Sequence, residues 1–402
     1  VVPVNVLDFL LILAAVWFAV VGYRQGFVVG IMSVTGFLGG GLAAIYLLPL
    51  IWDKATDSAT PGSVAVICAV AMVIVCASVG QAFTTHLGNK LRTRITWSPA
   101  RALDAGGGAL VNVVAMLLVA WLIGSALATT TLPTIGREVR SSKVLLGVSR
   151  VVPAQADTWF NDFSDTLAQN GLPQVFGTFG SEPITSVPAP DPALVNNPVV
   201  ASARNSIVKI VGTAPGCGKI LEGSGFVFAR HRVMTNAHVV GGVSEPRVQI
   251  GGRGRQYDAH VVLYDWQRDV AVLDVPDMDA TPLALATTPE HSRDDAIVAG
   301  FPENGAFDVR AARIRSRIEA SGPDIYRRGT VHRDVYSLYS TVRQGNSGGP
   351  LLTPDGRVAG VVFAKSLDDA NTGYALTADE VRQDAAAGAH ATRRVDTQNC
   401  AL

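Results

Sequence analysis

The run Gln344-Gly345-Asn346-Ser347-Gly348-Gly349-Pro350 sets a serine among glycines. A serine hydroxyl attacks a carbonyl usefully when an imidazole takes its proton and fixed donors receive the oxyanion. Glycine lets the backbone turn sharply, so the N–H groups of Gly345 and Ser347 can face one small hole. A side chain at 345, 348 or 349 would crowd that turn or the incoming carbonyl. Far upstream, Thr235-Asn236-Ala237-His238 supplies the imidazole. A carboxylate to orient it is expected between the two motifs, and Asp265 and Asp269 both stand there. Asp269 opens the apolar, β-branched run Val270-Ala271-Val272-Leu273, which reads as a buried strand, so its carboxylate can enter the interior beside His238. Asp265 belongs to the polar turn before it, where aspartates cap or bend the chain. Asp269 is therefore the preferred third member and Asp265 the alternative. The chemistry of such a set is acyl transfer: His238 deprotonates Ser347, then protonates the leaving group, and water hydrolyses the acyl-enzyme.

These motifs, in the chain order His238, Asp269, Ser347, resemble the chymotrypsin-like serine proteases, and more closely their bacterial HtrA-type branch. The matching pieces are Gly223-Ser224-Gly225-Phe226-Val227-Phe228, Val233-Met234-Thr235-Asn236-Ala237-His238-Val239-Val240, Asp269-Val270-Ala271-Val272-Leu273, Gly345-Asn346-Ser347-Gly348-Gly349-Pro350-Leu351-Leu352 and Gly360-Val361-Val362-Phe363. The resemblance covers about half the chain and implies two six-stranded antiparallel barrels with the triad in the cleft between them. Short Val/Ile/Leu-rich runs separated by Gly, Pro, Asp and Asn turns agree with an all-β reading. The resemblance also implies an oxyanion hole made by Gly345 and Ser347. It puts a primary substrate pocket beside Thr341, Val342, Phe363 and Ala364, with Gly373-Tyr374-Ala375 completing the wall. No acid stands at the base of that pocket, so an apolar or small side chain is expected there rather than Lys or Arg. Digestive members carry aspartate where Asn346 stands, so activation by inserting a new N-terminus is not expected. No cofactor is expected. His86, His231, His260, His291, His332 and His390 lack close ligand pairings, so no metal site is expected either.

Apolar residues make up 48% of the chain and concentrate before residue 132. Stretches at about 6–23, 27–51, 63–83 and 108–130 each reach the roughly 17–25 residues that cross a bilayer as helix. A cleaved signal peptide does not fit the first, because three more spans follow it and no small-residue cleavage site appears. Lys90, Arg92, Arg94 and Arg101 follow the third span and Arg24 the first, whereas Lys54 is balanced by Asp53 and Asp57. The positive-inside tendency then puts the first and third loops in the cytoplasm and exports everything after residue 131. Gly36, Gly39, Gly40, Gly41, Ala44 and Gly106, Gly107, Gly108 suit close helix packing in lipid. Asp8 and Asp104 lie near span ends, where interfacial placement is expected. With the stretch Asp104-Ala105-Gly106-Gly107-Gly108, the unit resembles a colicin-V-production-type membrane domain. With 33 basic and 33 acidic residues, a lipid bilayer and peptide substrates are the expected partners, and no nucleic acid.

The expected organisation is multidomain: a four-helix transmembrane domain over 1–131, a linker over 132–197, and an all-β double-barrel protease domain over 198–402. In the linker, residues 141–170 suggest short amphipathic helices. Ser186-Val187-Pro188-Ala189-Pro190-Asp191-Pro192 suggests a stiff, extended tether open to autoproteolysis. Cys68 and Cys76 sit in the third span as small apolar residues. Cys217 and Cys400 bracket the exported domain, and export to an oxidising compartment favours their pairing. The closed loop is long enough for that bond to contribute up to about 5 kcal/mol. Too few residues follow Ser347 for the PDZ module that HtrA-type proteases usually append; they suffice for the rest of the second barrel and a terminal helix near Thr377. The whole plan, with Ser321-Gly322-Pro323-Asp324-Ile325-Tyr326, resembles the actinobacterial membrane-anchored acid-resistance (MarP-like) proteases. That resemblance implies periplasmic proteolysis in acid or oxidative stress. Two rivals stay open: an inactive protease-like binding module, and a membrane transport protein regulated by the protease domain.

Overall fold

The computed structural model describes residues 5–55, 62–94, 96–128, 133–152, 173, 175–177 and 180–401, with the side chains of 45–55, 62–71, 126 and 133–135 outside the description. Contacts divide the chain into two units, residues 1–125 with 142–151, and residues 126–141 with 152–402.

The first unit is helical: α1 (Val6–Gln25), α2 (Phe27–Ala55), α3 (Gly62–Arg92) and α4 (Ser98–Ala128). Val6–Gln25, Phe27–Ala44 and Ser98–Ser125 are each long and apolar enough to span a membrane. The expected span at 63–83 falls on α3, and the side chains of its first part, Cys68 included, lie outside the description. Small residues bring α2 and α3 together. A methyl group on Gly36 would strike the Gly80 carbonyl, and one on Gly80 the Gly36 carbonyl, so only hydrogen fits at this crossing. Asp8 and Asp104, near the ends of their helices, are both partnered. Asp104 pairs with Arg92 at 2.9 Å and accepts from the Val28 N–H at 3.0 Å. Asp8 accepts from the backbone of Lys143 and Val144 and from the Ser142 hydroxyl, at the start of the short helix Lys143–Ser149. That helix carries Leu145, Leu146 and Val148 of the expected amphipathic segment; Trp159, Phe160, Phe163 and Leu167 lie outside the described residues.

The second unit is β-rich. In order along one sheet lie β5 (Gln256–Asp258), β4 (Arg247–Ile250), β1 (Ile207–Ala214), β2 (Lys219–Ala229), β3 (Arg232–Thr235), β7 (Val270–Asp274) and β6 (His260–Asp265). The sequence leads one to expect a six-stranded barrel here, and the sheet counts seven strands. Its two edges, β5 and β6, are separated only by the buried residue Ala259. They form one bent strand, paired with β4 at one end and β7 at the other, so chain continuity closes the barrel. The second barrel is closed in the order β10 (Thr330–Tyr339), β13 (Thr372–Thr377), β12 (Val358–Lys365), β11 (Pro350–Leu352), β8 (Asp295–Gly300), β9 (Asp308–Pro323). Strand β13 is buried along its whole length and β12 at all but its last residue. One core cluster joins the barrels through Phe226, Met234, Val272, Ile297, Phe363 and Tyr374.

The terminal helix Ala378–His390 starts at Thr377, whose hydroxyl accepts from the Glu380 N–H at 3.1 Å. Its Val381 and Ala385 join the inter-barrel core. Cys217 and Cys400 form a disulfide with Cα atoms 6.3 Å apart. The segment read as a tether is largely exposed and without helix or strand from Ser181 to Asp191, then forms a 3-10 turn over Pro192–Asn196. It is anchored at its start. Glu182 accepts from the Ser366 and Tyr374 hydroxyls and from the Leu367 N–H, and Phe176 packs edge-on against Tyr374 at 5.4 Å. Burial pushes the Glu182 carboxyl upward, against those three hydrogen bonds, and neighbouring Asp368 adds to the rise. The protease fold therefore recruits chain from before residue 198.

Asp384 on the terminal helix is buried, and its Oδ2 has no hydrogen-bond partner among the described residues. Desolvation first, then Asp265 and Glu380, push its carboxyl up to about 6. A raised folded-state value favours the folded form when protonated, so this group's contribution is greatest at low pH and falls away as pH rises through 6. Asp384→Asn should stabilise the full chain in detergent by about 1–3 kcal/mol at pH 7. The gain should shrink towards pH 4. Thermal unfolding against pH checks this, and a gain independent of pH would contradict it.

Candidate active site

Strands β3 and β7 are antiparallel neighbours, with Thr235 opposite Ala271. The helical turn Ala237–Val240 that follows β3 thus lies beside the residue that precedes β7. These two places hold His238 and Asp269. Asp269 is fully buried and has φ 66°, a left-handed conformation rare for a side-chain-bearing residue. Asn236 holds it there, donating from Nδ2 to the Asp269 carbonyl at 2.8 Å. Both carboxylate oxygens are then spent on one residue. Oδ1 accepts from the His238 backbone N–H at 2.9 Å, and Oδ2 lies 2.7 Å from His238 Nδ1. A carboxylate opposite Nδ1 selects the tautomer with its proton there, leaving Nε2 as the basic nitrogen. Asp265 does something else: Oδ1 accepts from the Gln267 and Arg268 N–H groups at 2.9 Å each, and Oδ2 pairs with Arg268 at 2.8 Å.

Ser347 comes from the second barrel, in the loop that leads into β11. Its carbonyl accepts from the Ser224 N–H at 2.8 Å, and the next N–H, of Gly348, donates to Val362 at 2.8 Å. Gly348 has φ 81°, and a Cβ there would collide with the Ser224 carbonyl and the Thr235 hydroxyl. Glycine is therefore required on two counts, and the serine loop is pressed against the strand that leads to His238. Ser347 Oγ donates to the Phe363 carbonyl, not to His238, at 3.5 Å. That is a long, weak bond.

The two N–H groups expected to bind an oxyanion have anchored peptide planes. The Gln344 carbonyl accepts from the Glu303 N–H at 2.8 Å, and the Asn346 carbonyl from the Gly349 N–H at 2.9 Å. In a trans peptide the N–H points opposite to the C=O, so the Gly345 and Ser347 N–H groups face away from those partners. Among the described residues neither donates to a protein acceptor. Ser224 adds a brace that the sequence reading missed. Its buried hydroxyl donates to the Gly345 carbonyl at 2.6 Å and accepts from the Phe301 N–H at 2.9 Å. A small polar residue between two glycines inside a strand pattern, Gly223-Ser224-Gly225, was the available signal.

The expected pocket residues divide by face. Val342 is buried against Gly373, where any side chain would meet it, and clusters with Ala375 inside the second barrel. The Phe363 ring and Tyr374 turn into the inter-barrel core, so Phe363 offers the site its carbonyl rather than its ring. Ala364 is buried in the same cluster, and Thr341 is half-buried. Asn346 is buried, with Oδ1 accepting from the Arg343 N–H at 2.9 Å, so it braces the serine loop from within.

The sequence matches the trypsin-like peptidase domain family over residues 223–361 and the colicin V production protein family over residues 7–153. It is 39% identical over 381 residues to serine protease Rv3671c of Mycobacterium tuberculosis, with 94% of each chain covered. It is 30% identical over 202 residues to the chloroplastic protease Do-like 2 of Arabidopsis thaliana, covering 46% of this chain and 32% of that one. The crystal structure of the active form of the M. tuberculosis Rv3671c protease is 48% identical, with a TM-score of 0.54, covering 56% of this chain and 98% of that chain. The apolar helices and the colicin V match together make this a membrane protein. A fold of paired β-barrels, a serine–glycine loop braced against a histidine turn, and a relative matched almost end to end assign the chain to the trypsin-like serine proteases that carry a colicin-V-type membrane domain, the family of M. tuberculosis Rv3671c.

Proposed function

We propose that this serine protease is a membrane-anchored endopeptidase working through Ser347, His238 and Asp269. The observation that carries the reading is the buried Asp269 carboxylate, both of whose oxygens serve His238. Substrate binding exchanges the weak Ser347–Phe363 bond for one to His238 Nε2. His238 then takes the hydroxyl proton as Ser347 attacks the peptide carbonyl. The free N–H groups of Gly345 and Ser347 receive the oxyanion, and His238 returns the proton to the leaving amine. Water, deprotonated by the same imidazole, releases the acyl group.

The primary pocket is placed against Thr341 and the backbone of Val342, Phe363 and Ala364, an uncharged lining that suits small or apolar side chains. Export is supported by the basic residues Lys90, Arg92, Arg94 and Arg101 between α3 and α4, and by a disulfide in the second unit. In this reading four helices over 1–131 anchor the chain in the inner membrane, with the protease domain, 198–402 and its docked upstream segment, in the periplasm. A role in acid or oxidative stress accords with the acid-resistance resemblance. The exposed stretch 186–191 is a candidate for self-cleavage.

Four outcomes test this. A serine-directed peptidyl phosphonate should label the full chain in detergent, and Ser347→Ala should abolish both labelling and peptide cleavage without lowering the melting temperature. Asp269→Asn should keep the fold while reducing kcat by about 10³–10⁴-fold, because the wrong tautomer is then favoured. Wild-type protein that resists labelling would favour an inactive binding module. Peptide-library profiling should show cleavage after small or apolar residues, and cleavage confined to Lys or Arg would refute the pocket reading. In intact spheroplasts, added protease should digest the region after residue 131 and spare the loop around Arg92. Protection of both would contradict the proposed orientation.

A further inference from the structure

Arg333 lies on β10 of the second barrel and is only 2% exposed. A buried guanidinium carries a large desolvation cost, and a buried charged pairing is by itself weak evidence for stability. Its place therefore calls for a reason beyond stability. Its Nε donates to the Gln267 carbonyl at 2.9 Å, and its Nη2 to the Pro323 carbonyl at 3.2 Å. Gln267 belongs to the first barrel, in the turn between β6 and β7 that ends at Asp269. The same guanidinium lies 6.0 Å from the centroid of the Phe363 ring, and the Phe363 carbonyl is the acceptor for Ser347 Oγ.

We propose that Arg333 is a positioning residue for the catalytic pair, bridging the two barrels behind the triad. Asp269 sits at φ 66°, a left-handed conformation that side-chain-bearing residues adopt uncommonly. Asn236 holds the Asp269 carbonyl from one side. Arg333 holds the Gln267 carbonyl from the other, so the turn is clamped on both flanks of Asp269. Because the clamp originates in the barrel that carries Ser347, it also ties the position of Asp269 and His238 to that of the nucleophile. The charged groups around the guanidinium are Asp265 and Asp269 in the clamped turn, Asp324 in the β9–β10 connection and Glu380 on the terminal helix. Burial lowers the guanidinium's proton affinity, and these four carboxylates oppose that loss.

The inference rests on the triad reading, and its test separates the two. Arg333→Met and Arg333→Lys are made in the full chain in detergent. Met is expected to lower the melting temperature, since it leaves the Gln267 and Pro323 carbonyls without their donor, and, in the fraction that folds, to lower kcat about 10–100-fold while leaving KM within about twofold. Phosphonate labelling should slow by the same factor. The downfield proton resonance of the His238–Asp269 hydrogen bond should broaden or move in the Met variant. Lys keeps the cation but cannot form the same fork, and should restore part of kcat. If both variants fold and keep kcat within about twofold, the proposal is overturned. A Met variant that fails to fold leaves the decision to Lys: folded and as fast as wild type overturns it, folded and slow supports it. Wild-type protein that takes up no phosphonate would fail the triad reading itself, while a labelled wild type with unaffected Arg333 variants would fail this inference alone.

Discussion

A fully buried carboxylate needs partners for both oxygens, and Asp269 finds them in one residue. Its pairing with the His238 backbone and ring is the constraint around which this protease is arranged. The arrangement demands that β3 and β7 be neighbours, so that the turn after one meets the residue before the other. It demands a left-handed aspartate, which Asn236 clamps from within the first barrel. In the proposed triad the second barrel must also bring Ser347 to this place; Ser224 bonds to the glycine-rich loop, and Thr235, whose hydroxyl donates to the Ser224 carbonyl, leaves room there only for glycine at 348. Steric closeness and hydrogen bonding act together there: glycine at 348 lets the loop approach, and the Ser224 N–H holds the Ser347 carbonyl once it has arrived.

The same logic of satisfied buried polar groups runs through the rest of the chain. In the helical unit, Asp104 meets Arg92 and the Val28 N–H, and Asp8 meets the start of the helix Lys143–Ser149. In the protease unit, Glu182 is drawn from the linker onto the β12–β13 loop by two hydroxyls and an N–H. Arg140 adds an ion pair to Asp368 of that loop at 2.8 Å. The segment leading into the protease is therefore part of its fold and not only a spacer.

Much of this was legible in the sequence, because the chemistry is carried by residues that stand together along the chain. The glycines about Ser347, the run Thr235-Asn236-Ala237-His238 and the apolar strand after Asp269 each declare themselves locally. The choice of Asp269 over Asp265 followed from which one borders a buried strand, and the structure gives Asp265 to a turn. What stayed hidden depends on contacts between distant segments. Arg333 reads as one arginine among many on an alternating strand, and nothing near it in sequence announces that its partner is the Gln267 carbonyl. Glu182 reads as part of a polar linker until Ser366 and Tyr374 are folded against it. The bent strand at Ala259 was likewise invisible, since a single small residue carries no pattern of its own.

The most direct test is a crystal structure of the full chain bearing a peptidyl phosphonate. The account predicts phosphorus bonded to Ser347 Oγ, one phosphonyl oxygen accepting from the Gly345 and Ser347 N–H groups, and His238 Nε2 in hydrogen-bond reach of the adduct. An adduct on another residue, or a phosphonyl oxygen turned away from those two N–H groups with His238 remote, would contradict it.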